Sequence, residues 1–454
     1  MTEFASAMKK RMKAAGVSQA ELARQVPMDP GHMSRVATGK VDPPAELADR
    51  LDHLLDAGGD LAALAGADQL AFLDGPATAV DERVTASQAS WVATRKAFGA
   101  HRRGLSELAY DLYPQATRLP DATLLVRPGW IPDQPIPLDQ VELTHEVAPA
   151  APIDGTGGLV SHILPRRTLT TRYGRYSHAI RDLSRPRLFA NRHCWRLMDA
   201  AGPSMTFSDC LYMDGTDVQE AVGHELALAS LDADRTGIAR RPRMRELPLR
   251  HAIGDPTDLT RRPTVAAVST LTIRRDDARG HSFLLHHRDP GAVLQDGDSM
   301  QVVPSGVFQP SSAYPGVRDV DFSLWRNIMR ESAEELLGFE EHGGDGAPVD
   351  YTAHPLGDLD EAYRDGRVRV FHLGTAVDAL TLFGEILTVA VWDADFYDEW
   401  CRDLVGDNDE GSIIDQRVPF TGPVIRRILD SGRILSAGAG CLSLAWQHRA
   451  ALLG

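Results

Sequence analysis

The stretch Ser18–Lys40, SQAELARQVPMDPGHMSRVATGK, reads as a short helix, a turn and a second short helix. Ser18 is a helix N-cap and Glu21 stands three residues on, a capping box that satisfies amides left without partners at a helix start. Leu22, Ala23 and Val26 share one face. Pro27 then stops the helix and Asp29-Pro30 begins another, the aspartate as N-cap and the proline at the first helical position, where its missing N–H is not needed. On this second helix Met33 and Val36 point inward, which leaves Gly31, His32 and Arg35 on the outer face, and Gly39 ends it. Working outward, Phe4, Met8 and Met12 recur every fourth residue before the stretch, and Leu47, Leu51, Leu54 and Leu55 follow it. Flanking helices that close a small all-α core are expected.

These residues resemble the Cro/repressor-type (Xre) helix-turn-helix, carried by Ser18-Gln19, Leu22-Ala23, Ser34-Arg35-Val36 and Gly39-Lys40. In that family the second helix lies in the major groove with its early residues on base edges. The resemblance implies double-stranded DNA as partner, with Gly31, His32 and Arg35 near bases and Gln19, Thr38 and Lys40 near phosphates. It also implies a homodimer, because paired half-sites multiply the affinity of one small reading head. A helical hairpin used only for protein contacts is the plainer alternative.

A chain of 454 residues exceeds one ordinary core, so two or three domains are expected. With a formal net charge of -15 the chain as a whole is no polyanion binder. DNA contact has to come from a local basic surface, for which Lys9, Lys10, Arg11, Lys13, Arg24, Arg35 and Lys40 are available. Cys194, Cys210, Cys401 and Cys441 form no CxxC pair, which argues against structural zinc and for free buried thiols. No apolar run reaches membrane-span length and the N-terminus lacks a signal peptide's apolar core, so a cytoplasmic protein is expected.

Composition turns small and polar after Leu64, with Gly75-Pro76 as the expected hinge. Residues 1–75 are therefore read as the helix-turn-helix domain, 76–265 as an α+β middle region of unassigned role, and 266–454 as a third domain. In the middle region Trp91, Phe98, Leu105, Leu108 and Leu112 mark one long amphipathic helix that stops at Pro114. Asp154–Gly158, DGTGG, reads as a plain turn, since no GK[ST] follows it. Arginines interleaved with aromatics between Arg166 and Arg196 suit nucleic acid, an anionic ligand or a solvated surface of paired arginines. Asp217–Leu231 reads as a helix without a metal motif, because Leu228 stands where HExxH needs its second His.

In the third domain, runs at Thr270–Arg274, Ser282–His287 and Gln301–Val303 read as strands leading to Pro304-Ser305-Gly306. A helix over Leu324–Leu337 then places Trp325, Met329, Ala333 and Leu336 on one face and Glu331, Glu334 and Glu335 on the other. Three clustered carboxylates repel one another unless a hard cation such as magnesium lies between them. Pairing of this acidic face with Arg326 and Arg330 is the plain alternative.

Arg330-Glu331-Ser332-Ala333-Glu334-Glu335, with the glycine loop before it and the runs Val368–Leu373 and Glu385–Val391 after it, resembles the Nudix motif R-E-U-x-E-E (U aliphatic). The resemblance implies an α/β fold, Glu331, Glu334 and Glu335 as magnesium ligands, and Gly306 and Arg330 beside a small phosphate-containing ligand. The sequence departs from the family at Ser312 and Phe322, where a glutamate is due, and at Ser332, where an aliphatic residue is due. Asp319, Asp321 and Glu385 are the candidate replacements for the missing acid. The combined expectation is a sequence-specific transcription regulator whose Nudix-like domain senses a ligand. The alternative is a magnesium-dependent Nudix hydrolase of nucleoside diphosphate compounds.

Overall fold

Apolar residues at helical spacing build α1 (Glu3–Ala15), α2 (Pro30–Ala37) and α3 (Ala45–Leu54). Phe4, Met8 and Met12 of α1, Met33 and Val36 of α2, and Leu47 and Leu51 of α3 meet Leu22, Val26 and Leu55 in one core. The computed structural model describes residues 3–19, 21, 22, 26, 30–40, 43, 45–55, 57, 61, 81–185, 190–288, 299–312, 314, 316–339, 348–403, 407, 408 and 411–454. Two compact units divide the chain, Met1–Glu82 and Arg83–Gly454. The expected hinge at Gly75-Pro76 lies outside the described residues, and the expected boundary at 265/266 falls inside the second unit.

The second unit opens with α4 (Glu82–Ala100) and α5 (Arg102–Asp111), two helices where one was expected. His101 leaves the helical region with φ -108 and its Nε2 lies 3.1 Å from the Arg235 carbonyl oxygen. Gly104 makes room for the same loop, since a Cβ there would stand 2.6 Å from Ile238 Cδ1. A long-range contact thus breaks a stripe that reads as continuous in the sequence. The stripe itself is core: Trp91, Phe98, Leu105 and Leu108 are all buried.

One mixed sheet organises the unit. Its strands run β1 (Thr117–Arg118), β2 (Leu124–Val126), β11 (Val368–Asp378), β12 (Gly384–Asp393), β7 (Ala266–Arg275), β8 (Ser282–Arg288), β14 (Gly411–Pro419) and β13 (Asp407–Asn408). Off this path, β3 (Ile136–Pro137) pairs with β11, β9 (Ser299–Gln301) with β8, and β10 (Ser305–Val307) with β7. β12 and β7 are parallel, the other pairings of this sheet antiparallel. Strands from residues 117–137 therefore share a sheet with strands from residues 266–419. A second sheet sets β4 (Glu142–His145), β6 (Ser204–Leu211) and β5 (His193–Ala201) side by side.

β11 and β12 are buried along nearly their whole length, the pattern of strands covered on both faces. On one face lies α9 (Leu324–Leu337), whose Glu331 abuts Gly306 of β10 beside Val268 and Ile386. On the other lies α13 (Ser436–Gln447), where a Cβ at Gly440 would meet Leu387 and Leu124. Three further helices complete the part of the fold used below: α6 (Tyr212–Ser230), α7 (Pro248–Ile253) and α8 (Val317–Asp321). Three more, α10 (Leu356–Arg364), α11 (Ala394–Trp400) and α12 (Gly422–Ser431), lie between α9 and α13 in sequence.

Candidate functional site

The capping box at Ser18 forms in part as the sequence dictates. Ser18 Oγ accepts a hydrogen bond from the Glu21 amide at 3.2 Å, and the Leu22 amide reaches the Ser18 carbonyl at 3.0 Å. Pro30 opens α2, as its fixed φ favours. Asp29, expected as the cap before it, lies outside the described residues, as do Ala23, Arg24 and Pro27.

At the far end Gly39 adopts φ +71. Its amide donates to the Val36 carbonyl at 3.0 Å, and the Lys40 amide to the Arg35 carbonyl at 2.9 Å, the paired bonds of a Schellman stop. Gly39→Ala should therefore lower the stability of the first unit by about 1–2 kcal/mol, the left-handed penalty for a residue with a Cβ. Thermal melting of the purified chain checks it, and a melt unchanged in the first unit would contradict the role of this stop.

Met33 and Val36 are anchored in the core while Ser34, Arg35, Thr38 and Lys40 are exposed. Gly31 and His32 lie in the first turn of α2. Gln19, at the start of the preceding helix, is half-buried. The Thr38 hydroxyl donates back to the Ser34 carbonyl at 2.8 Å, so it helps end the helix as well as facing outward. Lys9, Lys10 and Lys13 are exposed on α1. A helix fixed by its neighbours and presenting an arginine outward can place that guanidinium against a guanine edge.

In the second unit, β10 and α9 meet face to face. A Cβ at Gly306 would stand 2.0 Å from Glu331 Cδ, so only glycine lets the strand backbone come this close to the carboxylate. The Ser305 amide donates to Glu335 Oε1 at 3.1 Å, and Glu335 is buried, not solvent-facing as its helical position suggests. Glu334 is half-buried.

Arg330 is buried and engaged. It donates to Tyr351 Oη and the Gln309 carbonyl, both at 2.7 Å, and to Asn327 Oδ1 at 3.2 Å. Asp321 Oδ1 lies 3.8 Å from it. Burial opposes the charge on Arg330, but Tyr351 and Asp321 outweigh it and hold the guanidinium above its ordinary pKa. Asp321 in turn accepts from the Ser311 amide at 2.7 Å and from Tyr351 Oη at 2.6 Å. Of the three acids considered as replacements, Asp321 is the one that sits with Arg330. Glu385 precedes Ile386 in β12 and so projects to the sheet face away from α9.

The fit to magnesium is incomplete. Glu331 and Glu335 are turned to β10, and among the described residues no group of three or more His, Cys, Asp or Glu is arranged to hold a metal ion.

Sequence spacing missed two contacts. Cys194 and Cys210 are register partners across β5 and β6, and burial raises both thiols, Cys210 to about 12. Asp209 Oδ1 gathers His145 Nε2 at 2.9 Å, His193 Nε2 at 3.0 Å and Arg318 of α8. Both depend on the pairing of β5 with β6, which only the alternation of Trp195, Leu197, Phe207 and Asp209 hints at.

A family model described as a helix-turn-helix domain matches residues 3–65. A search of curated proteins returns no significant match to the chain. With the geometry above, the N-terminal unit carries a helix-turn-helix domain, the kind of domain that binds DNA. Among the described residues no helix is long and apolar enough to cross a membrane.

Proposed function

We propose that the protein is a homodimeric, sequence-specific transcription regulator of the Xre type, in which α2 reads the operator and the second unit senses a small phosphate-containing ligand. The observation that carries the first half is α2 itself: opened by Pro30, stopped at Gly39, pinned by Met33 and Val36, and presenting Arg35 to solvent. In this reading Arg35, Gly31 and His32 face bases while Gln19, Thr38 and Lys40 face phosphates. The second half draws on the Nudix resemblance and on the close seat of Glu331 against Gly306. Arg330 then acts as a positioning residue that holds α9 through Asp321, Tyr351 and Gln309. A ligand regulates such a dimer only if it binds one arrangement of the two reading heads more tightly than another.

Genome-wide mapping of bound sites with the natural chain and Arg35→Ala is the test. Loss of a bidentate guanine contact corresponds to about 1–3 kcal/mol, so occupancy of specific sites should fall by roughly one to two orders of magnitude. Unchanged occupancy would remove the regulator reading. The hydrolase reading draws on the Nudix resemblance of Arg330–Glu335 alone. Magnesium-dependent turnover of a nucleoside diphosphate compound, abolished by Glu334→Gln, would put that reading first.

A further inference from the structure

β4 is the outer strand of the three-stranded sheet, and its backbone groups divide between two sides. The Glu142 amide donates to the Pro203 carbonyl at 2.9 Å and the Glu146 amide to the Phe207 carbonyl at 2.8 Å, so the even-numbered positions bond toward β6. Alternate residues of a strand point their N–H and C=O groups to opposite sides, which turns those of Leu143, His145 and Val147 outward. Among the described residues β4 pairs with β6 and with no other strand.

The outward row has a stop at each end. The Val141 amide is already engaged by the Leu138 carbonyl at 3.2 Å. Pro149 has no amide to donate, and its carbonyl accepts from Arg196 Nη1 at 3.2 Å. Between these stops lie the outward groups of Leu143, His145 and Val147, centred on His145. An edge of this kind is a template for a further strand.

Side chains select which strand. Antiparallel pairing of the row with its own copy about His145 sets Leu143 opposite Val147, His145 opposite His145 and Thr144 opposite Glu146. Each outward residue then meets an outward residue, and each such pair exchanges both of its hydrogen bonds. Leu143 packs partly buried against the core of its own unit while Val147 is 98% exposed, so the pairing lays a bare valine beside a leucine at both ends of the row. No carboxylate stands opposite another, because Glu146 meets Thr144 and Glu142 meets Ala148. At the centre each imidazole has its own counter-charge, Asp209 Oδ1 at 2.9 Å from His145 Nε2.

We propose that β4 is a dimer seam: two copies of the chain pair β4 with β4, antiparallel about His145, and join their three-stranded sheets into one. The seam rests on the homodimeric reading above and supplies its contact. The symmetry is self-complementary, as a closed dimer requires. A strand pair this short covers less than a standard interface of about 1,600 Å², so the dimer comes apart on dilution.

Sedimentation of the full chain over a dilution series tests the seam, with Val147→Pro beside the natural sequence. Position 147 is exposed and its amide is unused within the chain, so proline is tolerated there as on other strand edges. The substitution removes one hydrogen bond at each end of the row and sets a ring against the partner, and the dissociation constant should rise about tenfold or more. If the natural chain dimerises and folded Val147→Pro dimerises equally well, the seam is overturned and the homodimer stands on another surface. A natural chain that stays monomeric throughout overturns both. Tryptophan emission reports whether the variant folds. Should it not fold, hydrogen exchange of segment 142–148 in the natural chain decides: slower exchange in concentrated than in dilute solution is expected, and equal exchange overturns the proposal.

Discussion

Lowering the pH from 7 to 4 is expected to unfold the second unit while the first stays folded. His224 in α6 is buried, and the Tyr176 hydroxyl lies 2.9 Å from its Nδ1. Arg95 donates to the same hydroxyl at 3.2 Å, so the tyrosine proton points to His224 and the imidazole must be a neutral acceptor. Burial, then Arg95, Arg235 and His162, push His224 down to about 3. His372 in β11, also buried, is pushed down to about 4 by burial, with Thr375 Oγ1 3.4 Å from its Nε2.

The unfolded chain binds these two protons near pH 6.5, and the folded chain refuses them until far lower. Stability from both groups is therefore complete above the unfolded value and is lost as the pH falls below it. At about 1.4 kcal/mol per pH unit for each group, the two together remove about 6 kcal/mol by pH 4, comparable to the stability of a whole domain. Asp217, whose carboxyl burial raises despite Ser177 and Arg175, opposes the trend in part. Asp209, Asp276 and Asp398, all held below the usual carboxylate range, add to it at the acid end.

All seven tryptophans lie beyond residue 90, so tryptophan emission follows the second unit alone. Its denaturation midpoint should fall steeply between pH 6.5 and 4. Equal midpoints at pH 7 and pH 4.5 would show that neither histidine is buried neutral.

Features legible in the sequence are those that short segments decide for themselves. Ser18, Pro30 and Gly39 act on amides and carbonyls within five residues, and α9 spans Leu324–Leu337 as its apolar spacing indicates. Long-range contacts were not legible. β2 reaches β11 through Leu125 and Val377, some 250 positions apart, and neither segment encodes that partner. For the same reason the break at His101, made by the loop at 235–238, hid inside a continuous apolar stripe. Glu335 read as solvated because helix periodicity cannot see the Ser305 amide waiting on β10.

Arg250→Met should be the most damaging single substitution in the second unit. Arg250 has no exposed surface, and Nη1 donates to Tyr113 Oη at 3.3 Å and to the Ala379 carbonyl at 2.8 Å. Nη2 reaches the carbonyls of Val222 and Leu380. Arg262, equally buried and pushed down to about 10 by that burial, donates to the Leu382 carbonyl at 3.1 Å and to that of Pro256 at 2.9 Å. Two arginines thus grip the turn between β11 and β12, the central hairpin of the mixed sheet, through backbone oxygens that have turned away from the ladder. A hydrophobic residue can replace a buried ion pair at little cost because both charges leave together. Here the partners are carbonyls that stay behind, each losing about 1–3 kcal/mol of compensation when its donor goes. Several such losses amount to about 3–5 kcal/mol, a shift of about 4–6 °C in a unit of this size. Tryptophan-detected melting of Arg250→Met against the exposed control Arg433→Met reads the difference. Melting points that agree for the two variants would mean that the turn holds without its arginine.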